Sequence, residues 1–313
     1  MSITRANFGE LLEPGLRKVL DDERKLYNPM LGELFNVNSS SKDSERDVPT
    51  TGIGYMSEKK EDNPVAYESP LQGYPTNYVH KTYAKGIKVS YEMVADDQYR
   101  VVDKNFRRLA KSAVRTPDKD GFGVLRNAFD TSATSYGDAK PLCSTLHSRR
   151  DGGTAQSNAS SSGIILNEGN LETGLLGLSN VLDDKGQLID IANAGNVMLV
   201  VPKALRKTAL EITGSALRSG TTDNDLNVYK GDIDVMVNPW IDALAGGSDT
   251  AWYLVAKGEH ELNWFWREKP NMDREKDFET KQEKFDILGR WSFGWSDWRG
   301  TWGSKGDEIS YSS

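Results

Sequence analysis

Hydrophobic residues recur every third or fourth position along some stretches of the chain and every second position along others. From Tyr91 to Asp130, the residues Val102, Phe106, Leu109 and Ala113 are spaced as one face of a helix. Thr116–Pro117–Asp118 interrupts that stripe, with Thr116 placed to cap a second helix and Pro117 at its first position. Phe122, Leu125 and Phe129 carry the stripe on. The spacing therefore predicts one long helix kinked near Pro117, or two nearly collinear ones. An earlier amphipathic piece, Pro14–Tyr27, puts Leu16, Val19, Leu20 and Tyr27 roughly on one face. Later, Leu171, Leu175, Leu178 and Leu182 form a helix stripe ending at Gly186, and Pro202–Ile212 reads as a helix closed by Gly214. Strands are predicted at Asn196–Val201, Ile233–Val237, Trp252–Ala256 and Leu262–Trp266, and Trp291, Phe293 and Trp295 share one strand face. This mixture of helices and strands predicts an α+β fold.

Other stretches lack such order. Asn36–Asp47 has Val37 as its only apolar residue and reads as a flexible linker. Val48–Val89 is punctuated by Pro49, Pro64, Pro70 and Pro75, which forbid a long helix. Strand-favouring runs at Tyr78–Tyr83 and Ile87–Val89, with a charged tip at Lys59–Asp62 before Asn63–Pro64, predict a long two-stranded arm. An isolated hairpin is marginal in water, so the arm is expected to lie on a neighbouring subunit. Ser148–Gly163 holds no large apolar residue and reads as an exposed loop. Glu268–Lys284 is dense in charge of nearly balanced sign, as a solvated strand face or an intersubunit contact would be.

Composition narrows the function. Apolar residues make up 37% of the 313 residues, a modest share that suits a chain taking part of its order from neighbours. The formal charge is −7, which argues against gripping nucleic acid by its phosphates but suits a container that repels its cargo. No run is long and apolar enough for a membrane span, and residues 1–10 lack the apolar block of a secretory signal. The single cysteine, Cys143, fits a reducing compartment.

Catalytic chemistry is sparse. His80, His147 and His260 are far apart, and neither a phosphate-binding loop nor a dinucleotide fingerprint is present. Cys143 and His147, with Asp138 and Asp151 nearby, could form a metal corner but lack a second Cys/His pair. Gly294–Trp295–Ser296 resembles a nucleophile elbow without its closing glycine. Acid pairs such as Asp96–Asp97 and Asp183–Asp184 read as helix surface. No catalytic residue, cofactor or metal is therefore expected. The tryptophans between 291 and 302 read as a packed strand face or interface core, with a sugar-stacking platform as the rival.

Four stretches in order resemble the major head subunits of tailed phages, specifically the Mu-like group. They are Thr82–Met93 with Asp96–Tyr99; Lys140–His147 with Gly152–Thr154 and Ser157–Asn158; Leu199–Leu205; and Phe293–Gly300. The resemblance implies the fold shared by tailed-phage and herpesvirus shells. On that plan residues 1–47 are an N-terminal arm and 48–89 an extended loop. Residues 90–130 and 259–313 form a peripheral domain with a long spine helix and return strands, and 131–258 an inserted axial domain. It implies a major capsid protein that assembles into hexamers and pentamers, builds an icosahedral shell around DNA, and meets scaffolding, portal and decoration proteins. The shell would form in the host bacterial cytoplasm and end as the virion capsid. Tyr55, Lys59, Lys60, Trp291, Trp295 and Arg299 are the expected contact or strand-core residues. Some relatives cross-link a loop lysine to a neighbour's asparagine; no motif here identifies a partner for Lys59 or Lys60. The rival readings are a nanocompartment shell of the same fold, a carbohydrate-binding or hydrolytic protein using the tryptophan cluster, and a DNA-binding structural protein.

Overall fold

The computed structural model describes residues 18–27, 29–56, 58–61, 64–65, 67–70, 72–90, 99–132, 137–189, 191, 196–215, 226–277 and 282–311, with backbone only at 99–103 and 276. Expectations for Pro14–Arg17, for Tyr91–Gln98 and for the side chain of Val102 lie outside the described residues. In chain order the elements are α1 (18–26), α2 (Leu31–Leu34), β1 (Asn36–Ser39), β2 (Ser44–Asp47), β3 (Thr76–Val79), β4 (Lys81–Val89), α3 (Tyr99–Gly121) and α4 (Gly123–Arg126). There follow α5 (Glu168–Ser179), β5 (Val197–Val201), α6 (Arg206–Gly214), β6 (Ile233–Val237), β7 (Trp252–Ala256), β8 (Leu262–Lys276), β9 (Glu283–Trp295) and β10 (Thr301–Ser304). Two units divide the chain: Met1–Glu45, Val79–Gly121 and Trp264–Phe293 form the first, and Arg46–Tyr78, Phe122–Asn263 and Gly294–Ser313 the second.

The first unit is built on the sheet β1-β8-β9-β4. Strand β4 pairs antiparallel with β9 from Lys81↔Trp291 to Val89↔Glu283. The helix stripe read from the sequence supplies its packing. Phe106, Leu109 and Ala110 of α3 are buried with Leu20, Val89, Met272, Phe285 and Ile287, and Ala113 packs against them. β4 forms one edge of the sheet and exposes Lys81, Lys85 and Lys88, charges that discourage chance pairing with another strand.

Pro117 does not split the helix. α3 continues through it to Gly121, and the Thr116 hydroxyl donates to the Ser112 carbonyl at 2.7 Å instead of capping a new helix. A proline inside a helix forfeits one backbone bond, and a hydroxyl bonded back to the preceding turn is a common accompaniment. Asp118 caps a different element. Its buried carboxylate accepts from the Tyr27 hydroxyl at 2.6 Å and from the backbone N–H groups of Met30 and Leu31 at 3.1 and 3.2 Å, at the start of α2. Burial pushes its carboxyl up, and these three donors hold it back. Asp118→Ala is expected to cost about 2 kcal/mol in chemical denaturation; an unchanged midpoint would show that the cap contributes nothing.

The expected linker at Asn36–Asp47 is two short strands. β1 joins the sheet beside β8, with the Ser40 N–H donating to the Trp266 carbonyl at 2.8 Å, and β2 pairs with β3. Every β1 side chain is exposed, so backbone pairing, which leaves no hydrophobic signature, holds it in place.

The second unit holds the sheet β10-β7-β5-β6. β5 lies parallel to β6 and antiparallel to β7, and both β5 and β7 are buried throughout. Their apolar runs follow from that. α5 lies close over Trp302 because it carries glycines there: a Cβ on Gly177 would sit 2.6 Å from the indole nitrogen. Asn167 caps α5, accepting from the Asn170 N–H at 2.8 Å. The helix ends at Ser179, short of the predicted Gly186, and Leu182 instead bridges Leu188 across a turn. β10 pairs with β7, and the chain after Phe293 belongs to this unit and not with the long return strands expected over 259–313.

His260 is buried in this unit, and burial lowers its pKa from 6.5 to about 4. The folded state therefore favours the neutral ring. Its contribution is intact above pH 6.5 and is lost as pH falls from 6.5 toward 4, by roughly 3 kcal/mol. Urea midpoints measured at neutral pH and near pH 4 are expected to diverge strongly, and His260→Gln to shrink the gap. An equal gap in the variant would place the acid sensitivity elsewhere.

Candidate intersubunit surface

The loop between β2 and β3 was expected to be one limb of an arm whose other limb ran to Val89. The limb 81–89 instead pairs with β9, and the loop closes on itself earlier. Thr50 bridges Gln72, and the Gly73 N–H donates to the Pro49 carbonyl at 2.8 Å. Arg150 secures this base, donating to the carbonyls of Gln72 and Gly73 at 3.1 and 3.4 Å, with its guanidinium 4.4 Å from the centre of the Tyr74 ring. Further out, Glu68 accepts from the Gly54 N–H at 2.9 Å and pairs with Lys185. The Lys185 ammonium and the Gly54 N–H hold the Glu68 carboxyl below the usual range.

The described residues of the loop also include uncovered apolar side chains. Ile53, Tyr55, Met56, Val65 and Tyr67 are all exposed, Met56 fully and Tyr67 to 91%. Single exposed apolar residues are ordinary, but five along one segment make it a candidate contact surface. Lys59 and Lys60 sit exposed on the same segment.

The remaining predicted residues lie inside. Trp291 is buried in the first unit and stacks on Tyr83 at 4.2 Å with the rings 3° from parallel, next to Trp264 and Trp266. Trp295 is buried in the second unit against Gly137, where a Cβ would lie 2.3 Å from its ring. Gly137 also takes φ +61°. Arg299 donates to Asp184 at 3.1 Å, Asp297 at 2.8 Å and the Leu182 carbonyl at 3.0 Å, and covers the Trp298 ring. The rival reading of a sugar platform fails: Trp291, Trp295, Trp298 and Trp302 are each at most 4% exposed and are divided between two units, so no ring face is offered to a sugar.

The suspected metal corner is a packed polar cluster. Asp138 and Asn158 each hold one ring nitrogen of His147, at 2.8 and 3.1 Å, and the ring stacks on Trp298 at 4.4 Å. Cys143 is fully buried, and burial pushes its thiol far up. Among the described residues no group of three or more His, Cys, Asp or Glu side chains is placed to hold a metal ion. No described helix is long and apolar enough to cross a membrane.

Sequence reasoning missed the turn at 183–189, whose acid pair read as helix surface. Asp183 Oδ1 accepts from the N–H groups of Lys185 and Gln187 at 2.8 Å, and Gly186 takes φ +79°. The Asp183–Asp184–Lys185–Gly186 run is a turn signature, masked by the leucine stripe leading into it.

In the first unit, a groove of about 310 Å³ runs between α3 and the β4–β9 pair, lined by Tyr83, Leu109, Ala113, Ile287 and Trp291, with Lys85 and Lys119 along it. It has the size of a small binding site.

No curated protein matches the chain by sequence. Among solved structures it is similar to the virus-like particle of Pyrococcus furiosus (TM-score 0.54, 14% identity, covering 92% of this chain and 97% of that one). It is similar also to Mycobacterium phage Patience (TM-score 0.57, 12% identity, 92% and 85%) and to the bacteriophage JBD30 capsid decorated with minor capsid protein trimers (TM-score 0.54, 14% identity, 69% and 92%). At these identities the likeness concerns the fold. Residues 73–303 match the family described as phage capsid protein, which is most of the chain. This chain belongs to the phage capsid protein family.

Proposed function

We propose that this chain is the major capsid protein of a tailed phage, a structural subunit without catalytic activity. Copies assemble as hexamers and pentamers into an icosahedral head shell enclosing DNA. The observation that carries this beyond family membership is the exposed loop, which leaves Ile53, Met56, Val65 and Tyr67 uncovered on the free subunit. Such a surface is costly to leave in water and is covered when a second copy takes it up. The groove along α3 is the receiving surface on that copy, and its Lys85 and Lys119 suit the acidic Glu58 and Glu61 beside the loop's apolar residues.

In this reading the first unit, with α3 and the long strands, is the peripheral domain, and residues 131–258 face the ring centre. Each contact is weak alone and strong by repetition. Scaffolding, portal and decoration proteins act on the same shell, and assembly takes place in the host cytoplasm.

The test is expression of the chain alone, followed by negative-stain microscopy across concentrations. Closed polyhedral particles are expected. A monomer at every concentration contradicts the reading, and particles filled with an enzyme instead of nucleic acid would favour a nanocompartment.

A further inference from the structure

We infer that the turn at 183–189 is a latch that fixes the direction of the exposed loop between β2 and β3 and so presents it to a second copy of this chain; the second part rests on the shell-forming reading. Tyr55 carries the argument. Its ring is exposed, yet its two hydrogen-bond donors are committed to one distant turn: the backbone N–H donates to Oε1 of Gln187 at 3.0 Å, and the phenol donates to the Leu188 carbonyl at 2.7 Å. Little apolar burial holds this ring, so its hydrogen bonds set its position.

On the returning limb, Glu68 pairs with Lys185 and accepts from the Gly54 N–H at 2.9 Å. Both limbs are thus tied to each other and to the turn. The turn is a firm anchor, because the Asp183 N–H donates to the Gln187 carbonyl at 2.8 Å while the Asp183 side chain accepts from Lys185 and Gln187.

Exposed hydrogen bonds and ion pairs are individually weak, which suits a contact that can open. Closed, the latch holds the loop in one direction before docking, so less freedom is lost when a partner takes it up. That saving recurs at every equivalent contact of a closed assembly. Without the latch the same apolar residues are present but point in many directions.

The test compares the wild type with a Tyr55→Phe, Gln187→Ala, Lys185→Met variant. On isolated subunits, hydrogen exchange read by mass spectrometry is expected to rise roughly tenfold for peptides covering 51–56, which hold the bonded Gly54 and Tyr55 amides, and to stay unchanged in β5 and β7. In assembly followed by light scattering and microscopy, the variant is expected to need a higher subunit concentration and to yield fewer closed particles. Unchanged exchange would overturn the latch itself. Faster exchange with an unchanged assembly threshold would overturn its presenting role. Absence of particles from the wild type would defeat the shell-forming reading and the presenting role together, while the exchange arm still decides whether the latch holds.

Discussion

Replacing residues 56–67 with a short glycine link is expected to give a folded subunit that no longer forms closed shells. Every described residue of the removed segment is exposed, Met56 fully and Tyr67 nearly so. Its anchors stay: Thr50 with Gln72 and Arg150 at the base, and Tyr55 and Glu68 at the turn. Loop-closure entropy changes slowly with length, so the fold loses little. What disappears is apolar surface that a neighbour would cover, at about 25 cal/mol for each Å² taken from water. Cooperative unfolding like that of the wild type, with only small species by size-exclusion chromatography and microscopy, is the predicted pair of results. Normal closed shells would remove the loop from the assembly mechanism.

Trp295→Ala is expected to destabilise the subunit by about 3–5 kcal/mol, the range for truncating a buried large aromatic side chain. The ring is 3% exposed, and Gly137, at φ +61°, approaches it so closely that no side chain fits between them. That close approach leaves few side chains able to relax into the void. Urea denaturation of the isolated subunit measures the effect. A midpoint within error of the wild type would mean that the ring is not packed, and would return Trp295 to the list of surface candidates.

Much of the scaffold was legible because its signals are local. The α3 stripe reflects one face against one core, and the continuous apolar runs of β5 and β7 reflect strands buried throughout. Other features were hidden by physics that leaves no apolar pattern. β1 is held by backbone pairing with exposed side chains. Pro117 sits within α3 because tertiary packing outweighs one lost hydrogen bond. The partner of β4 is β9, about 200 residues away, whereas periodicity reports only faces, never partners. Among the site residues, the exposed loop was anticipated from its prolines, while Arg150, Lys185 and Gln187 lie in stretches that a loop or helix reading passes over. Trp295 and Arg299 were found by their clustering near the C-terminus, but only the packing shows that Trp295 is buried and that Arg299 is paired with Asp184.

The sole cysteine of the chain is sealed in the second unit's interior. A thiol engineered at Lys59 or Lys60 would then be the one group per subunit that a maleimide dye reaches under native conditions. Dye stoichiometry before and after assembly would give a direct count of how many loop tips remain open to solution, and the same handle would let cargo be displayed at defined spacing on the finished particle.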